Sequence, residues 1–397
     1  MRVAHVITRL ILGGAQENVV LSCEDLIRRH GDQVLLVTGP PRGREGSLLD
    51  RARAGGVPLE IIGGLRRAIH PWYDVAAYLG IRRALRRFRP DVVHTHSAKG
   101  GMLGRAAASS LGVPAIVHTV HGAPFHPYQG RVARAVFRAC ERWAASRCHA
   151  LVSVADAMTE LLVSAGVAPR EKFVTIASGM EVEPLLEADR HRQQVRQALG
   201  YRPEHIVVGK IARLFPLKGH QYVIRAAASV VRRDSRVRFL MVGDGVLRER
   251  LFRQAAAAGL ADYIQWVGLV PAERVPPLLG AMDIVLHASL REGLPRAVVQ
   301  GLIAGKPVAS FDIDGAREVV LPGITGYLVP PGDWQGLAEA VLRLAGDAGL
   351  RARLGQEGRG RFADRFRHER MTEEIRALYE RLLAPHGRLA GGHATSQ

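Results

Sequence analysis

The chain reads as an α/β protein with two doubly wound parallel sheets, one in each half. Three features predict this. Short apolar runs rich in Val and Ile alternate with longer amphipathic stretches, the pattern of buried parallel strands covered by helices. The alternation fills the first half, breaks over a polar segment at 181–204, and begins again at 205. The length of 397 residues exceeds what one core supports, so two domains of about 150–200 residues each are expected.

In the first half, strands are predicted over 3–7, 33–39, 58–62, 91–96, 115–122 and 150–155, with helices over 15–29, 74–89, 100–111 and 130–147. The run 173–180 closes this half, and 181–204, polar and helical in pattern, is expected to be a hinge region. The second series predicts strands over 205–212, 237–245, 264–268, 283–289, 306–312 and 326–330, then a last helix over about 368–384. The Gly/Ala/His-rich tail after Pro385 is expected to lack fixed structure. Two such domains facing each other leave a cleft at the carboxyl ends of their strands, where ligands bind in this architecture.

Composition narrows the function classes. Apolar residues make up 47% and charged residues 23%, as in a soluble globular enzyme. No run approaches the roughly 18–20 apolar residues needed to span a bilayer. The N-terminal stretch MRVAHVITRL lacks a cleavage site and reads as a first buried strand. Cys23, Cys140 and Cys148 form no CxxC pair and are odd in number, which points to a reducing compartment and away from a disulfide scaffold or a zinc site.

The formal charge is +18, and Lys stands only at 99, 172, 210, 218 and 306, so Arg dominates. Genome composition is one source of such a skew; attraction to an anionic surface is another. Arg82, Arg83, Arg86 and Arg87 fall on one predicted helix. Arg131, Arg134, Arg138 and Arg142 line one face of another, beside Val136, Phe137 and Trp143. A basic stripe with apolar neighbours suits an anionic membrane surface as well as a solvated helix face. Nucleic acid is disfavoured, since no aromatic stacking series or reading motif is present.

Several constellations carry chemistry. Gly13-Gly14 follow the first strand and open a helix, where the backbone can approach an anion; a tight turn without a ligand is the competing reading. His94-Thr95-His96 and His118-Thr119-Val120-His121-Gly122 end strands, and spacing of two is expected to put each pair on one face. Of these, His121 is the strongest site candidate, because Gly122 leaves room for a substrate. Arg213 and Lys218 lie just past a strand in a loop closed by Gly219, a planar fork and a mobile point charge suited to phosphate oxygens. Glu292 and Gln300 flank a helix start at Gly293-Leu294-Pro295, where free N–H groups can hold a hydroxyl or a phosphate.

With these residues in view, the chain resembles family 4 of the retaining glycosyltransferases, the group 1 glycosyltransferases of GT-B fold. R-L-F-P-L-K-G (213–219), G-D-G (243–245), E-G-L-P-R-A-V-V-Q (292–300), G-K-P-V (305–308) and T-G-Y-L-V-P-P-G-D (325–333) match in order and spacing; G-G-A-Q-E (13–17) and H-T-V-H-G (118–122) match in the first half. The resemblance implies two Rossmann-like domains. The first is expected over 1–185, completed by a helix over about 366–384, and the second over 186–365, with the tail at 385–397. It further implies catalytic roles for His121, Arg213, Lys218 and Glu292. Arg213 and Lys218 would clamp the donor diphosphate, His121 would lie near the transferred sugar, and Glu292 with the backbone of Gly293 and Leu294 would face sugar hydroxyls. Val270 would border the base, and Gly13, Gly14, Gly243 and Gln300 complete the expected donor set. Gln300 departs from the family, which carries Glu there; Gln keeps one acceptor oxygen and loses the charge.

The expected reaction is transfer of a sugar from a nucleotide-sugar, a UDP-sugar by expectation, to a hydroxyl of a lipid-linked or polysaccharide acceptor, with retained configuration and with no metal or other cofactor. His96, Phe125 and His126 are the acceptor-side candidates. A cytoplasmic protein, peripheral at the inner membrane face, is expected. An epimerase-like or phosphorylase enzyme of the same fold, or an inactive sugar-nucleotide-binding protein, are the rival readings. A nicotinamide enzyme is disfavoured, because neither Gly13-Gly14 nor Gly243-Asp244-Gly245 completes the dinucleotide pattern.

Overall fold

The computed structural model describes residues 1–41 and 46–384. The expectation for the tail at 385–397 lies outside these residues. The chain forms two compact units. One runs from Met1 to Met180 and resumes at His368; the other is Glu181–Arg367.

The first unit is built on seven strands, β1 (Arg2–Arg9), β2 (Gln33–Gly39), β3 (Leu59–Ile61), β4 (Val92–His96), β5 (Ala115–Val120), β6 (Ala150–Ser153) and β7 (Phe173–Thr175). Every neighbouring pair is parallel, in the order β3-β2-β1-β4-β5-β6-β7. The strand order reverses between β1 and β4. At such a switch point the helices on either side diverge and open a crevice at the strand ends. Strands β4 and β5 are buried at every position, including the polar His94, Thr95, His96, His118 and Thr119 at their carboxyl ends.

The last helix, His368–Leu383, belongs to this unit. It buries Met371, Ile375, Leu378 and Tyr379 against Val3, Ile7, Val117 and Val152 of the sheet. Burying each such side chain contributes about 1.5–3 kcal/mol. Polar contacts fix its register on the helix Gly14–Arg28 and the loop after it: His368 Nδ1 to Asp25 at 2.7 Å, Thr372 Oγ1 to Asp25 at 3.0 Å, and Arg376 Nε to Asp32 at 3.1 Å.

The second unit repeats the plan with six parallel strands, β8 (Ile206–Ile211), β9 (Val237–Val242), β10 (Ile264–Gly268), β11 (Ile284–His287), β12 (Val308–Phe311) and β13 (Gly326–Val329), ordered β10-β9-β8-β11-β12-β13. Its reversal lies between β8 and β11.

The segment 181–204 differs from the hinge expected of it. Its short helices Glu183–Leu186 and Arg192–Ala198 pack into the second unit. Arg192 and Arg196 both reach the Asp283 carboxylate, at 2.5 and 3.0 Å, and Arg192 also donates to the Met282 carbonyl. The polar character that resembled a linker comes from these buried arginine contacts.

Candidate active-site residues

In the second unit, the loop after β8 and the loop after β11 meet at the switch point. The first loop leaves the strand at Ile211, turns through Arg213–Lys218, and enters the helix His220–Arg233. Gly219 makes that entrance possible. Its φ is +70°, and a Cβ there would stand 1.7 Å from the Ala288 carbonyl oxygen. The backbone of the two loops is stitched by Leu290 N–H to the Leu217 carbonyl at 2.8 Å, with Leu217 itself held at φ +67°. Gly243, directly after β9, is at φ +133° with no room for a Cβ beside the Ala212 carbonyl.

This stitching brings Lys218 against Glu292, and the two side chains form an ion pair. His287 Nε2 lies 3.7 Å from the same carboxylate oxygen, while its Nδ1 bonds Ser310 Oγ at 3.0 Å. Burial alone would raise the Glu292 carboxyl, but Lys218 and His287 outweigh it and hold the group well below the usual carboxylate range. The Glu292 backbone N–H donates to Asp314 Oδ2 at 2.7 Å, and Asp314 adopts φ +39° to reach it. The guanidinium of Arg213 stacks over Phe215, 4.9 Å from the ring centroid. Gly293 and Leu294 are buried behind Glu292, and Gln300 sits on the helix Arg296–Ile303 that follows. Val270 lies two residues beyond β10, partly buried.

Lys210, at the end of β8, lies under this group. Its side chain is 2% exposed and its ammonium has no hydrogen-bond partner among the described residues. Burial, then the charge of Lys218, pushes it down to about 7, with Glu292 acting the other way.

In the first unit, His5, His94 and His96 stand on one face of β1 and β4, in register, beneath the C-terminal helix. His5 Nδ1 and His96 Nε2 are 3.1 Å apart, and His96 Nδ1 and His121 Nε2 are 3.2 Å apart. His94 bonds Tyr379 Oη at 2.5 Å through Nδ1 and Thr119 Oγ1 at 2.6 Å through Nε2. Burial lowers His5 to about 3 and holds His94 and His96 well below their ordinary value, so all three are neutral imidazoles at neutral pH. Their candidate ligand atoms lie within 4.8 Å of one another, close enough for one cation. The rings stack, however, at 5.3 Å and 10° for His5 with His96, and their nitrogens already bond each other, Tyr379 and Thr119. That is the geometry of a hydrogen-bonded relay; ligands of one metal radiate from it.

Two expectations are corrected here. His96, expected to face the acceptor, is 1% exposed and stands behind His121. His118 and His121 do not share a face, because they are three residues apart. His118 turns to the opposite side, where its Nδ1 bonds Thr95 Oγ1 at 2.9 Å under the helix Ala98–Ser110. Gly13 caps and Gly14 opens the helix Gly14–Arg28 as expected, and Phe125 and His126 lie in the loop before the helix Arg131–Ala145.

Two family models match, one to each half. Residues 13–179 match the glycosyl transferase 4-like domain, and residues 191–361 match glycosyl transferases group 1. The chain belongs to the group 1 glycosyltransferases. Its two parallel-sheet α/β units match solved glycosyltransferases of GT-B fold. Among these, the Anabaena protein HepE in complex with UDP-glucose superposes with a TM-score of 0.80 over 96% of this chain and 99% of its own, at 21% identity. An Escherichia coli relative, UDP-Gal:alpha-D-GlcNAc-diphosphoundecaprenol alpha-1,3-galactosyltransferase, is 27% identical over 96% of each chain. The 2-deoxystreptamine glucosyltransferase of Streptomyces kanamyceticus is 28% identical over 75% of this chain and 79% of its own.

In this glycosyltransferase the structure also singles out residues that sequence reasoning passed over: His5, Lys210, His287, Asp314 and Tyr379. Lys210 carried a signal, as one of five lysines placed at a strand end. His5 and Tyr379 carried none, since each takes its meaning from partners at least 89 residues away.

Proposed function

We propose that the protein transfers a sugar from a nucleotide-sugar, a UDP-sugar, to a hydroxyl of a lipid-linked saccharide, with retention at the anomeric carbon. The observation that carries the donor half of this reading is the Lys218–Glu292 pair at the β8/β11 switch point, in the loop that also carries Arg213. A cation and a carboxylate, each able to exchange its partner, suit a ligand carrying phosphates next to sugar hydroxyls. Arg213 and Lys218 would take the diphosphate, and the helix His220–Arg233 would add its N-terminal dipole. Glu292, held ionised, would accept from sugar hydroxyls with the Gly293 and Leu294 backbone beside it. Val270 would border the base, Gln300 the ribose, and Gly243 the phosphates. UDP-sugars are supported by the E. coli relative and by the HepE complex.

As the bond from the anomeric carbon to the leaving phosphate oxygen breaks, negative charge grows on the diphosphate. Preorganised cations stabilise it without reorganisation cost. The acceptor oxygen bonds to the same face of the anomeric carbon, and its proton passes to a donor phosphate oxygen. His121, with Gly13 and Gly14, would line the sugar from the first unit, and the loop bearing Phe125 and His126 would meet the acceptor. No step requires a metal ion. No helix among the described residues is long and apolar enough to cross a membrane. The basic helix Arg131–Ala145 supports peripheral attachment to an anionic inner-membrane surface.

The test is thermal stability of the purified protein with UDP, GDP, ADP or NAD, with Lys218→Ala in parallel. A ligand at 100 times its dissociation constant adds about 2.7 kcal/mol. A shift with UDP that Lys218→Ala abolishes is the expected result. A shift with NAD alone overturns the reading, and no shift with any nucleotide removes its donor half.

A further inference from the structure

The helix Arg131–Ala145 is the least covered helix of the first unit. Its anchor is the inward side, where Glu141 pairs with Arg105 at 3.1 Å, the guanidinium wholly buried. Two cavities flank the rest of it. On one side a cavity of about 380 Å3 lies between the loop residues Phe125, His126 and Pro127 and the side chains of Arg131, Arg134 and Arg138. On the other, a cavity of about 400 Å3 is lined only by apolar groups, among them Met102, Leu103, Cys140 and Trp143. Both volumes fall within the range of small-molecule sites, about 300–1,000 Å3.

The chemistry of the two sides is complementary to one kind of molecule. Arg131, Arg134 and Arg138 follow one another at spacings of three and four, so their guanidinium groups stack along one stripe. None of the three has an ion-pair partner among the described residues. Elsewhere on this surface arginines do pair, as in Arg87–Glu60 and Arg170–Glu160. Three unneutralised planar forks at one cavity suit phosphate oxygens. The loop facing them is rigid: Gln129 accepts from the His126 backbone N–H at 3.0 Å and donates to the Pro124 carbonyl at 3.0 Å. A third of a turn away, Val132 and Val136 are 78% and 52% exposed and lead to Trp143, which Arg147 covers at 3.8 Å. An unburied apolar strip beside an apolar cavity marks an interaction site.

We propose that this helix holds the acceptor by its lipid diphosphate. The diphosphate lies on Arg131, Arg134 and Arg138, and an isoprenoid chain runs along Val132, Val136 and the cavity at Trp143. This rests on the lipid-linked acceptor named above and assigns its binding site. The charge balance agrees, since three guanidinium groups meet the two negative charges of a diphosphate diester.

The probe is farnesyl diphosphate, measured by calorimetric titration with UDP saturating so that the phosphate-binding groups of the second unit are engaged. Inorganic diphosphate and vesicles of phosphatidylcholine with phosphatidylglycerol are titrated in parallel. Replacing both Arg134 and Arg138 by Gln is expected to weaken farnesyl diphosphate at least about tenfold, the scale of one charged hydrogen bond. Val136→Ser is expected to remove the advantage of farnesyl over inorganic diphosphate and leave the latter's affinity unchanged. Equal binding of farnesyl diphosphate by wild type and the arginine double variant overturns the proposal. So does a loss confined to vesicle binding, which assigns the face to membrane docking alone. The UDP thermal shift of each variant reports folding and the donor site independently, so a failure of the donor reading is seen there and not in this titration.

Discussion

Lys218 and Glu292, 74 residues apart in the chain, form an ion pair that only the loops after β8 and β11 can bring together. The pair ties a phosphate-type cation to a hydroxyl-type acceptor, so each must let go of the other, in part, when a ligand arrives. Lys218→Ala is expected to lower kcat by about 100- to 1,000-fold, the cost of one preorganised charge donor. Steady-state kinetics with saturating UDP-sugar checks it. A rise in KM alone, with kcat intact, would mean that Lys218 holds ground state and transition state equally.

The buried imidazoles give an acid limb to stability. His5 titrates at about 3 in the folded chain and at 6.5 when exposed. Between those values the unfolded chain binds a proton that the folded chain refuses, so stability is complete above 6.5 and is lost as pH falls below it. His94, His96 and His118 shift the same way. Each histidine contributes on the order of 1 kcal/mol per pH unit. Calorimetric melting at pH 7.5 and pH 5 should show a marked drop, and a flat profile would mean that the relay opens to water.

Lys210 predicts the opposite of the usual mutational loss. Its ammonium sits buried without a partner, so Lys210→Met is expected to raise the melting temperature at pH 7. The folded lysine titrates at about 7 against an ordinary 10.5. Across that window the unfolded chain keeps the proton, so wild-type stability climbs with pH and the variant's does not. Melting curves from pH 7 to pH 10 decide this.

Tyr379→Phe strands His94 Nδ1 in the core. Leaving a buried group unpaired costs about 1–3 kcal/mol. Urea unfolding should show that loss in the first unit's transition; no change would show that the Tyr379 hydroxyl is dispensable to His94.

How much of this was legible beforehand depends on chain distance. Each sheet strand announced itself through local Val/Ile runs, and Arg213, Lys218 and Glu292 stand in short motifs whose spacing is their meaning. Phe125, His126 and the arginines of 131–138 were visible for the same reason, as a loop and a stripe. Burial was not. His94 and His96 read as site lining from their place at a strand end, and only the covering helix from 368 onward turns them into core. The hinge expected at 181–204 failed likewise, because Asp283, which neutralises Arg192 and Arg196, lies about 90 residues downstream.

The helix His368–Leu383 sets an order of events during synthesis. As the chain leaves the ribosome, β1 to β7 emerge first, yet the face holding His5 and His94 lacks its cover. The second unit, Glu181–Arg367, has all its strands in hand before that cover exists. The half made first is therefore the half finished last, and a message cut short at codon 368, no earlier, yields a complete second unit and an open, histidine-lined sheet in the first.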